Sequence, residues 1–85
     1  MTHLVDCNKI GFENITNGIL TTLVHKPERG IVSPGDIFVF QEMGETEGLF
    51  TGKETTLVCS ETISHYHCKG LKAGYFVVTV KEKES

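Results

Sequence analysis

Apolar positions in this chain fall into short β-branched and aromatic runs separated by turn residues, a pattern of strands rather than long helices. The central run, Ile37-Phe38-Val39-Phe40, is apolar on both faces, with Ile37 and Val39 pointing one way and Phe38 and Phe40 the other. A strand of that kind is covered on both sides and belongs in the middle of a small, curled sheet. Ser33-Pro34-Gly35-Asp36 launches it as a turn: proline presets one torsion, glycine tolerates positive φ, and aspartate bonds nearby backbone. Four further runs predict strands: His3–Cys7, Leu20–Lys26, Thr55–Ile63 and Tyr75–Val80. In the second of these, Leu20, Thr22 and Val24 alternate against Thr21, Leu23 and His25, and Pro27 stops it for lack of an N–H.

One segment follows a different period. Asn8 is placed to cap a helix running to about Asn17, with Gly18 where the chain leaves it. Phe12, Ile15 and Ile19, three and four apart, predict a buried stripe on that helix, and Gly11 weakens it by about 1 kcal/mol relative to alanine. The connection from Gly44 to Gly52 is polar, anchored by Leu49 and Phe50; that from His65 to Gly74 is a loop with Tyr66 tucked down. Five strands and one main helix without regular βαβ alternation predict an α+β fold with an antiparallel or mixed sheet, curled into a small β-barrel that hides most strand edges.

Composition narrows the class. At 85 residues, 39% hydrophobic and 22% charged, the chain reads as a single globular domain over residues 1–80 with a disordered tail at 81–85. No apolar run is long enough to span a bilayer, so no membrane partner is expected. Met1-Thr2-His3-Leu4 has no signal-peptide pattern, and three cysteines without a C-x-x-C pair fit a reduced, cytoplasmic chain. A net charge of −3 argues against broad electrostatic binding to nucleic acid, but charge is segregated: acids gather at 42–47 and 82–84, whereas Lys26 and Arg29 lie close together.

Several residues carry candidate chemistry. His25, Lys26 and Arg29 flank Pro27 at a strand end, where arginine and lysine can grip a phosphate or carboxylate. Tyr75 and Phe50 offer rings on which a base can stack. His65 and His67, with Cys59 or Cys7, form the most metal-like group, yet the spacing matches no standard zinc pattern, and no metal or other cofactor is expected. None of the cysteines sits in a nucleophile motif, and Cys59 alternates with Leu57 as a buried small hydrophobe does.

Taken in order, Phe12-Glu13-x-Ile15-x-x-Gly18, Thr21, Val24-His25-Lys26, Arg29, Pro34-Gly35-Asp36, Thr51-Gly52-Lys53 and Gly74-Tyr75-Phe76-Val77-Val78 resemble the ASCH domain family of the PUA-like superfamily. The resemblance spans Val5 to Val80 and implies a PUA-like barrel with a helix packed across an opening. One branch of that family resembles acetylcytidine amidohydrolases, which use a lysine, a threonine and a glutamate. Here Ile19 and Leu20 stand where the lysine is expected, Leu23 where the acid is and His25 where the arginine is; only Thr21 carries over.

The resemblance therefore implies a non-catalytic module that recognises RNA or a modified nucleotide in a helix–strand cleft, with Thr21, His25, Lys26, Arg29 and Lys53 as polar contacts and Tyr75 stacking. Two other classes stand beside it: a small protein-binding modulator, of the kind a phage directs at a host protein, and an amidohydrolase with a degenerate site. The expected state is a monomer or weak homodimer.

Overall fold

The computed structural model describes residues 1–28, 30–46, 48–64 and 66–82. Strand β1 (Thr2–Cys7) leads through Asn8 into helix α1 (Lys9–Thr16), followed by β2 (Thr22–His25), β3 (Ile37–Met43), β4 (Phe50–Ser64) and β5 (Phe76–Glu82). The Asn8 side chain accepts from the Gly11 N–H at 2.7 Å, closing the first helical turn. At the other end Gly18, at φ 74°, turns the chain back, so that Ile19 and Leu20 both donate to the Asn14 carbonyl. That early exit corrects the predicted stripe. Phe12 and Ile15 are buried, but Ile19 lies beyond the helix and is 74% exposed.

The five strands form one sheet in the order β1-β3-β4-β5-β2. The β1–β3 pair is parallel and the other three are antiparallel, so the sheet is mixed. It curls as a half-barrel, with β3 flanked on both sides as its two-faced pattern predicts. Its concave face carries Phe38 and Phe40 of β3, Leu57 and Cys59 of β4, and Phe76, Val78 and Val80 of β5. Phe12 and Ile15 cap this core from α1, and Val32 reaches it from the loop before β3.

Strand β4 is longer than predicted, mainly at its start, where Phe50–Glu54 continue the pairing with β3 through a shifted register that sets Gln41 against Glu54 and Met43 against Phe50. Its register with β5 shifts between Cys59↔Val80 and Glu61↔Thr79, leaving Ser60 as an extra residue whose hydroxyl donates to the Thr79 carbonyl at 3.1 Å. The extra residue reverses which side chains face inward. Leu57 and Cys59 point into the core before it; Thr62 and Ser64, opposite Val78 and Phe76, do so after it.

Other expectations need correction. Leu49 and Phe50 do not anchor their connection but are 60% and 50% exposed, and Tyr66 is 85% exposed rather than tucked down. Lys81 and Glu82 belong to β5 rather than to a tail; the rest of the predicted tail, with Arg29 and His65, lies outside the described residues. Among the described residues, no helix is long and apolar enough to cross a membrane.

Candidate functional site

Strands β1 and β2 are the two edges of the sheet, and curling brings them face to face with no backbone ladder between them among the described residues. The seam is bridged by side chains. His3 of β1 and His25 of β2 meet edge to face, with ring centroids 5.2 Å apart and planes at 83°. Both rest on Phe38: the His3 ring stacks on it at 4.6 Å, and the His25 ring meets it edge-on at 5.2 Å. This follows from register, since His3 lies beside Phe38 in the β1–β3 pair and His25 beside Phe76 in the β2–β5 pair.

Behind His3 stands Asp36, the last residue of the turn that launches β3. Its carboxylate accepts from His3 Nε2 at 2.9 Å, from the Ser33 N–H at 3.0 Å and from the Met1 ammonium at 3.3 Å. Burial alone pushes the Asp36 carboxyl up, but the His3, Ser33 and N-terminal donors together outweigh it and hold the group below the ordinary carboxylate value. An ionised acceptor makes Nε2 the protonated nitrogen of His3. For His25 the direction is also downward, first because of burial and second because of the adjacent His3, so the imidazole stays neutral near pH 7.

Above this pair opens a cleft of about 400 Å³, lined by Met1, Thr2, His3, Leu4, His25, Lys26 and Glu28. Lys26 extends over the Tyr75 ring, its Nζ 5.7 Å from the centroid. Among the described residues, the cleft thus combines an ammonium, a lysine and two imidazoles with a nearby aromatic ring and one acid, Glu28. That set can hold an anionic group and stack a flat one.

The fold brings together three of the residues expected from sequence, His25, Lys26 and Tyr75, and separates two others. Thr21 is exposed at the opposite end of β2, its carbonyl accepting from the Val80 N–H at 2.8 Å. Lys53 is exposed beside α1, in a separate depression of about 260 Å³ that also holds Phe12, Glu13, Thr16, Asn17 and Glu42. A helix–strand cleft and the polar cluster are therefore two places, since α1 packs mainly on β3 and β1. In comparison with known proteins, no family model matches this chain and no curated protein is similar to it.

His3 and Asp36 are the residues that sequence reasoning missed. His3 shares strand parity with Val5 and Cys7, which pack on the core, and this was a signal that it faces inward. Asp36 was legible only as a turn former; its bond to Ser33 fits that role, whereas its bond to His3 spans 33 positions. Among the described residues, no group of three or more His, Cys, Asp or Glu is arranged to hold a metal ion. The Cys59 thiol, 1% exposed, is pushed up first by burial and then by the Asp36 charge.

Proposed function

We propose that this chain is a non-catalytic, ASCH-like binding module that takes a nucleotide or a short single-stranded RNA at the cleft between its edge strands. The observation that carries the reading is Lys26 poised over Tyr75 beside His25, a cation and an aromatic platform at the rim of one cleft. A phosphate has Lys26 and the N-terminal ammonium as counter-charges, and the base has Tyr75 to stack on, so a net acidic chain can bind without a broad basic surface. The exposed Ile19 and Leu20, where the related hydrolases need a lysine, support the non-catalytic assignment.

An amide NMR titration with cytidine nucleotides and short single-stranded RNAs, at two salt concentrations, tests the reading. Shifts should concentrate on Thr2–Leu4, His25, Lys26 and Tyr75 and weaken with salt, and Lys26→Gln should reduce them. Spectra unchanged at millimolar ligand would remove it.

One feature favours a protein partner as the second reading. Val24, Val77 and Ile63 form a single row across β2, β5 and β4 on the outer face, where Val24 is 59% and Ile63 45% exposed. Val24→Lys should then abolish capture of that partner, or self-association, and leave the nucleotide titration unchanged.

A further inference from the structure

We propose that the His3–His25 contact is an acid-sensitive latch that holds the two edge strands together beneath the cleft. Across the seam β1 and β2 run antiparallel without a ladder among the described residues, so the ring contact at 5.2 Å does what hydrogen bonds do between the other neighbouring strands. The two partners are held unequally. His3 is 5% exposed and fixed by Asp36, whereas His25 is half-buried and lines the cleft.

The groups around His25 decide what a proton does there. On β1 are the Met1 ammonium and His3; behind His3 is Asp36, already bonded to His3, Ser33 and Met1. β3 contributes the uncharged Phe38, the segment after β2 carries Lys26 and Glu28, and Tyr75 precedes Phe76, the register neighbour of His25 on β5. Among the described residues lining the cleft, the one carboxylate is Glu28, set against two cations. A neutral imidazole packs well between His3 and Phe38, but an imidazolium there loses water and gains no dedicated counter-charge. Protonation therefore drives the ring outward, separates β1 from β2 and extends the cleft toward Phe38. Where the cleft takes an anion, as proposed above, acid both opens the site and makes it more positive.

The test is a pH titration of the whole chain by NMR, following the His25 ring together with the Phe38 ring beneath it. The ring should titrate below about 6.5. The Phe38 ring signals should shift, and their contacts to the His25 ring be lost, with the His25 midpoint, while the β1–β3 and β2–β5 ladders stay protected. His25→Phe, which keeps an edge-on ring and cannot ionise, should leave the Phe38 signals unmoved through the same range. His25→Gln supplies a second non-titrating chain should the phenylalanine repack the cleft. Phe38 signals that ignore the His25 midpoint, or an identical acid transition in the non-titrating chains, would overturn the latch. A latch that opens while nucleotide shifts nothing at either pH would instead remove the binding function and leave the latch standing.

Discussion

Replacing Asp36 by alanine is the perturbation that most directly tests the physical account of the seam. Asp36 is buried and accepts from three donors, of which His3 Nε2 and the Ser33 N–H are the consequential ones. The Met1 side chain is 54% exposed, so the N-terminal pair adds little. A hydrogen bond to a charged group contributes about 1.5–3 kcal/mol, and a buried donor left without an acceptor costs about 1–3 kcal/mol. These overlap, because both describe the same lost acceptor, and His3 at 5% exposure cannot turn to water instead. We expect a loss of about 3 kcal/mol, a substantial part of the stability of a domain this size. In a thermal melt that is a fall in Tm of roughly 12–24 °C, with chemical denaturation giving the free energy itself. Asp36→Asn should lose only about 1 kcal/mol, since its carbonyl still accepts from Ser33 and its amide can donate to His3 once the ring proton moves to Nδ1. A double-mutant cycle with His3→Phe should show a coupling above about 1 kcal/mol. A loss below about 1 kcal/mol for Asp36→Ala, equal to that of the asparagine variant, would refute the reasoning.

Three further outcomes follow from the same contacts. Because the Asp36 carboxyl is held below its ordinary value in the folded chain, it contributes stability that is present above that ordinary value and lost as pH falls through the folded one. Acid unfolding curves of Asp36→Ala should lack that limb. Asn8→Ala removes the acceptor for Gly11 and should destabilise by about 1 kcal/mol, read by urea denaturation. The Thr62 hydroxyl is buried with no hydrogen-bond partner among the described residues, so Thr62→Val should stabilise by about 1 kcal/mol; a destabilised valine variant would show that the hydroxyl is satisfied after all.

Local chemistry in the sequence was enough to specify the elements. The period-two runs specify strands, Asn8 and Gly18 bracket the helix, and the two-faced Ile37–Phe40 run places β3 between neighbours. Half of the candidate site was legible on the same basis: Lys26, His25 and Tyr75 are polar or aromatic residues at strand ends, where side chains reach a rim. Tertiary structure alone decided which strand lies beside which. A two-residue period is identical in parallel and antiparallel pairing, so nothing local says that β1 runs alongside β3 or that β1 and β2 become opposing edges. Nor does it reveal a bulge, although one extra residue at Ser60 turns Thr62 and Ser64 inward. The stripe through Ile19 failed for a related reason, since apolar spacing continued after the backbone had left the helix at Asn17 and Gly18. The His3–Asp36–His25 cluster depends on that strand order, and only the curl of the sheet brings its members into contact.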